Sequence, residues 1–148
     1  MPILNVPPVA SWVYRPGVSL GRRAAAMGKI LVVDDHDDTR NVLKKLFARW
    51  GHETAVAETG EAGLALVAGE EKPDLIIVDG MMPGMNGVEF IRLFRATHEM
   101  PVIPIILYTA INDHAFTENA LEKGANEIWI KGTITMEQIR ARVGHYLK

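Results

Sequence analysis

Ile30-Leu31-Val32-Val33-Asp34-Asp35 decides how the chain is read: a short, mostly β-branched apolar run leads straight into two carboxylates. A run without polar alternation suits a strand buried on both faces, as in a parallel sheet. Leu75-Ile76-Ile77-Val78-Asp79 repeats the pattern after Pro73-Asp74, and a fourth strand is expected over Ile103–Leu107, just before Tyr108-Thr109. Thr54–Ala57 and Glu127–Ile130 complete five expected strands.

Helical spacing fills the intervals. From His36 to Trp50 the apolar residues Val42, Leu43, Leu46, Phe47 and Trp50 recur on one face, and Gly51 closes the helix. Gly60–Gly69 is expected as a helix with Ala62, Ala65 and Leu66 inward. After a Gly- and Pro-containing loop, Gly80–Gly87, the pair Asn86 and Glu89 resembles a capping box opening a helix through Ala96. Asp113–Lys123 forms a further helix. Thr135 and Gln138 open the last one, which carries Met136, Ile139, Val143 and Leu147. Five strands alternating with five helices predict a doubly wound α/β fold, a parallel sheet covered on both sides.

The 148 residues are enough for one hydrophobic core. Composition shifts at Met27-Gly28-Lys29. Residues 1–27, rich in turn formers, read as a flexible N-terminal extension, and 28–148 as the single domain, with nothing left after the last helix for a second. The formal charge of −2 gives no electrostatic reason to expect nucleic acid or an anionic membrane as partner. The chain has no cysteine, which excludes disulfides, zinc thiolates and thiol catalysis. No apolar run approaches the ~18 residues needed to span a bilayer. Arg22 and Arg23 come too late for a secretory signal, so the expected location is the cytoplasm.

In open parallel sheets ligands bind at the carboxyl ends of the strands. There the sequence puts Asp34 and Asp35 after the first strand, Asp79 after the third, Thr109 at the end of the fourth and Lys131 at the end of the fifth. Singly, each has a plainer reading: a helix-capping acid, a turn residue, a strand end, a solvated lysine. Together they imply a cation, because crowded carboxylates raise one another's pKa unless neutralised. Magnesium suits hard oxygen ligands, with manganese as the alternative. Asp35 and Asp79 would hold it directly, Asp34 through water, and Met81 by its backbone carbonyl. Asp79 is then a nucleophile for phosphorus, with Lys131 and Thr109 binding phosphoryl oxygens. The histidines His36, His52, His98, His114 and His145 lack metal-ligand spacing and read as solvated; Asp37, Asp38 and Arg40 read as a wet helix face.

Ile30–Asp35, Pro73–Asp79, Met82-Pro83-Gly84-Met85-Asn86-Gly87, Leu107-Tyr108-Thr109-Ala110 and Gly124-Ala125 leading to Lys131 resemble the response-regulator receiver domain of two-component signalling. The resemblance covers residues from about Gly28 onward. It implies a flavodoxin-like receiver fold of strand order 2-1-3-4-5 and phosphorylation of Asp79 by a histidine kinase or histidine phosphotransfer protein. With no output domain expected, the signal passes to a separate effector protein, through the Asp113–Lys123 helix, the Glu127–Ile130 strand and the last helix.

Four positions depart from the family pattern. Gly132 stands where proline is frequent, and Ile128 where an aromatic residue is frequent. Trp129, next to it, should face the other side of the sheet. Met81 and Ile111, two residues after Asp79 and Thr109, cannot hydrogen-bond a hydrolytic water, so self-dephosphorylation is expected to be slow. Two rivals remain at this level: a pseudo-receiver serving as a constitutive docking module, and a phosphatase working through an aspartyl phosphate. The second would need another acid near Asp79, where Met81 stands.

Overall fold

The computed structural model describes residues 28–69, 72–97 and 103–147. The expected extension, residues 1–27, and His98 lie outside them. The elements alternate without exception: β1 (Lys29–Val33), α1 (Asp37–Arg49), β2 (Glu53–Ala57), α2 (Gly60–Val67), β3 (Leu75–Asp79), α3 (Gly87–Thr97), β4 (Ile105–Thr109), α4 (His114–Lys123), β5 (Glu127–Ile130) and α5 (Met136–Tyr146). The five strands form one parallel sheet of order β2-β1-β3-β4-β5, the doubly wound arrangement anticipated.

Side-chain alternation along the central strands divides the interior in two. Leu31, Val33, Ile76, Val78, Ile105 and Leu107 point to one face, against Val67 of α2, Phe90, Ile91 and Phe94 of α3, and Ala120 of α4. Ile30, Val32, Leu75, Ile77 and Ile106 point to the other, against Leu43 and Phe47 of α1 and Ile139 and Val143 of α5. Each such fully buried side chain contributes about 1.5–3 kcal/mol of transfer free energy.

Several local expectations shift. The fourth strand starts two residues later than expected and runs on through Thr109, because Asp79 pairs with Tyr108 in register and carries the ladder to the sheet edge. In α2 the inward residues are Gly60, Gly63 and Val67, while Ala62 and Ala65 face solvent. The small glycines are required there: a Cβ on Gly63 would lie 2.8 Å from Val33. Val42 and Met136 are exposed, since the apolar stripes of α1 and α5 are narrower than their apolar content. Asn86 Oδ1 accepts from the Glu89 N–H at 2.9 Å, but the Glu89 carboxylate turns away to Arg92, so only half the expected box forms. Thr135 and Gln138 make the complete box.

Candidate functional site

The carboxyl edge of the sheet collects the five side chains the sequence singled out. Asp34 leaves β1 with a nearly fully buried carboxylate, Asp79 is the last residue of β3 and 4% exposed, and Thr109 ends β4 fully buried. Asp35 is more open, and Lys131 follows β5. The Lys131 Nζ donates to Asp34 Oδ2 at 3.0 Å and lies 3.5 Å from Asp79 Oδ1. Residues separated by 97 positions are thus joined by one ion pair. The Tyr108 ring lies under the same ammonium, 5.2 Å from Nζ, and its edge meets Trp129.

Glycines at two positions allow the loop after β3 to fold back over its strand. Gly87 opens α3 with its N–H on the Gly80 carbonyl at 3.0 Å, and a Cβ there would sit 2.3 Å from the Asp79 carbonyl oxygen. A Cβ on Gly80 would meet Thr109 Oγ1 at 2.6 Å. The Thr109 hydroxyl, on the α4 side of the sheet, accepts the Ile111 N–H at 3.1 Å. Met82 is buried and Met85 packs on the core, as loop-packing methionines, but Met81 is 53% exposed. Its N–H donates to Asp79 Oδ1 at 3.4 Å.

Burial, above all, and then the charge of Asp34, with a smaller effect of Asp35, push the Asp79 carboxyl above its ordinary range; Lys131 and the Met81 N–H pull the other way. Lys131 is moved up: burial opposes its charge, but the hydrogen bond and charge of Asp34 and the charge of Asp79 outweigh it. One ammonium therefore serves an acidic trio, and the trio keeps unmet demand for positive charge.

That demand can be tested on the donor set. Asp34, Asp35, His36 and Asp79 each place one donor atom within 4.8 Å of the others. Asp35 Oδ1 is buried without a hydrogen-bond partner; the nearby His36 Nδ1, at 3.2 Å, makes an ion-pair contact without hydrogen-bond geometry. An orphaned anionic oxygen beside two further carboxylates fits a divalent cation.

Sequence reasoning missed two site neighbours. Arg40, expected on a wet face, is buried and donates to the Asp34 carbonyl at 2.7 Å while pairing with Asp37. Its guanidinium fixes the backbone between β1 and α1; the signal available was its position at i+3 from Asp37. His36, expected to be solvated, keeps an exposed ring but turns Nδ1 into the acids. Away from the site, His52 is buried and accepts the Gly28 N–H at 3.2 Å, contrary to its solvated reading.

A family profile described as the response regulator receiver domain matches residues 30–144. The chain belongs to the response-regulator receiver family. It is 40% identical over 118 residues to the transcriptional regulatory protein AfsQ1 of Streptomyces coelicolor, covering 78% of this chain and 51% of that protein. It is 39% identical over 83 residues to protein PilH of Pseudomonas aeruginosa, 56% of this chain and 68% of that one. Among solved structures, the chemotaxis protein CheY4 of Vibrio cholerae superposes with a TM-score of 0.75 at 27% identity, covering 82% of this chain and all of that one. The chain spans about half or less of the length of most of the curated relatives it matches.

Proposed function

We propose that the protein is a phospho-accepting switch, taking a phosphoryl group on Asp79 from a histidine kinase or a histidine phosphotransfer protein. The observation that carries this reading is the placement of the Lys131 ammonium against both Asp34 and Asp79 at the open end of the sheet. Asp35 and Asp79 directly, Asp34 through water and the Met81 backbone carbonyl would hold a magnesium or manganese ion, which would supply charge neutralisation for the incoming phosphoryl oxygens. Asp79 oxygen attacks phosphorus, the bond from phosphorus to the donor's histidine nitrogen breaks, and an acyl phosphate forms. Lys131 binds one phosphoryl oxygen and the Thr109 hydroxyl another, exchanging the Ile111 N–H contact for the phosphate. Movement of Thr109 shifts β4 and its neighbouring helices and so biases a binding face.

That face combines α4, β5 and α5. Leu121 and Met136 are exposed on it, and a groove of about 360 Å³ runs along β5 and α5 past Ile128, Ile130, Thr133 and Ile134. Ile128 packs on the same core as Phe116 and faces the Thr109 side, whereas Trp129 is buried on the opposite side with Tyr108. The aromatic partner frequent in the family is thus replaced by an aliphatic one, and coupling from Thr109 runs through Phe116 and Ile128 packing. The recipient is a separate effector protein, in the cytoplasm. Among the described residues no helix is long and apolar enough to cross a membrane. The protein turns over no substrate beyond its own phosphate, which Met81 and Ile111 protect from water. The full complement of Asp34, Asp35, Asp79, Thr109 and Lys131 weighs against a constitutive docking module.

Incubation with a small acyl phosphate tests the reading. Intact mass should rise by one phosphoryl group with magnesium present and stay unchanged with chelator. Equal labelling of an Asp79→Asn variant would overturn the assignment.

A further inference from the structure

Asp34 and Asp79 divide their carboxylate oxygens between two neighbours, Lys131 and His36. Lys131 takes Asp34 Oδ2 and Asp79 Oδ1. The remaining pair, Asp34 Oδ1 and Asp79 Oδ2, faces His36 Nδ1 at 3.1 Å and 3.8 Å, and Asp35 Oδ1 stands 3.2 Å from the same nitrogen. The oxygens that the lysine leaves open are therefore the ones gathered around the imidazole.

These separations match a shared coordination shell. With bonds of about 2.1 Å, neighbouring donors of an octahedron sit roughly 3.0 Å apart and opposite donors roughly 4.2 Å. The distances from Nδ1 to the two carboxylates read as direct ligands, 3.2 Å to Asp35 Oδ1 and 3.8 Å to Asp79 Oδ2, lie in that span. His36 is the N-cap residue of α1, yet its side chain makes no cap hydrogen bond. Nδ1 is instead in hydrogen-bond contact with Asp34 Oδ1 at 3.1 Å, an oxygen that also accepts the His36 backbone N–H at 2.9 Å, and a cation among the acids would replace the ring contact. Asp35 Oδ1, buried and without a hydrogen-bond partner, is an acceptor on the same side.

We propose that His36 Nδ1 is an additional protein donor to the divalent ion and biases this site toward nitrogen-seeking first-row ions such as nickel over magnesium. The inference rests on the receiver reading of the site. Its chemical ground is ligand preference: imidazole strongly favours nickel, cobalt and zinc, whereas magnesium prefers oxygen and retains its waters. Three carboxylates alone would hold both classes of ion through oxygen. One imidazole separates them.

Calorimetric titration of the metal-free protein with nickel chloride and with magnesium chloride tests this, using wild type, His36→Ala, Asp79→Asn and, as a control for adventitious imidazole, the exposed His114→Ala. In His36→Ala the nickel affinity should fall about tenfold or more while the magnesium affinity changes less than about threefold. His114→Ala should titrate as wild type. Unchanged nickel affinity in His36→Ala, or an equal fall for both ions, would overturn the proposal. Magnesium binding that survives Asp79→Asn would instead bring down the receiver reading, and this proposal with it.

Discussion

Replacing Asp79 by asparagine should stabilise the metal-free protein at neutral pH, although it removes the residue at the centre of the site. The donor atoms of Asp34, Asp35 and Asp79 lie within 4.8 Å of one another, where each like-charge contact costs about 3.5 kcal/mol at an effective dielectric near 20. Lys131, 3.5 Å from Asp79, returns about 5 kcal/mol on the same scale. Two repulsions and the burial of the carboxylate outweigh that attraction. The variant should gain about 1–2 kcal/mol, a rise in melting temperature of roughly 3–10 °C for a domain of this size. The pH dependence follows from the raised folded pKa of Asp79. An acid whose pKa is higher in the folded state stabilises below the ordinary carboxylate range and loses that contribution as pH rises through the folded value. The advantage of the variant should therefore be largest near pH 7.5 and shrink on acidification toward the ordinary carboxylate range. Magnesium at about ten times its dissociation constant should add about 1.4 kcal/mol to wild type and nothing to the variant. Urea midpoints at pH 7.5 and pH 5, with and without magnesium, measure all of this. A variant less stable than wild type at pH 7.5 without metal would refute the electrostatic reasoning.

Met81→Asn should speed loss of the phosphoryl group, by up to about tenfold, by offering water a hydrogen-bonding partner; that is below the effect of a positioned general base. Following phosphorylated protein by intact mass with magnesium checks it, and an unchanged half-life would show that Met81 does not limit water access. Gly87→Ala should cost about 2–3 kcal/mol and slow phosphorylation, because its Cβ can fit only if the Asp79 carbonyl moves. Thermal melts paired with labelling rates measure both effects. Glu127 should stabilise the β5–α5 junction by up to about 1 kcal/mol, given the exposure of its Arg142 partner. Burial opposes its charge, but Arg142, Tyr146 and Trp129 hydrogen bonds lower its carboxyl to about 2. The contribution is present above the ordinary range and lost as pH falls toward 2, so Glu127→Gln should differ from wild type at pH 6 and converge with it near pH 2.

How much the sequence disclosed depends on the range of the forces involved. Strands such as Ile30–Val33 and Leu75–Val78 are written in local apolar runs, and Thr135 with Gln138 is a local hydrogen-bond exchange, so both were legible. The convergence of Asp34, Asp79 and Lys131 followed from one topological rule about strand ends. Burial of Arg40 was not legible, because it depends on a carbonyl that turns inward only once β1 meets α1. The start of β4 was misplaced because β-propensity extends through Ile103, whereas pairing is set by the register against β3. The orientation of the His36 ring is likewise a three-dimensional outcome: its sequence neighbours are acids whether or not Nδ1 turns toward them.

The phosphoacceptor itself can be located chemically. After incubation with an acyl phosphate and magnesium, borohydride reduction converts an aspartyl phosphate to homoserine, and peptide mass spectrometry reads its position. The modification should fall on Asp79 alone and vanish when magnesium is chelated. Homoserine at Asp34 or Asp35, or none anywhere while phosphate is retained, would contradict a switch centred on Asp79.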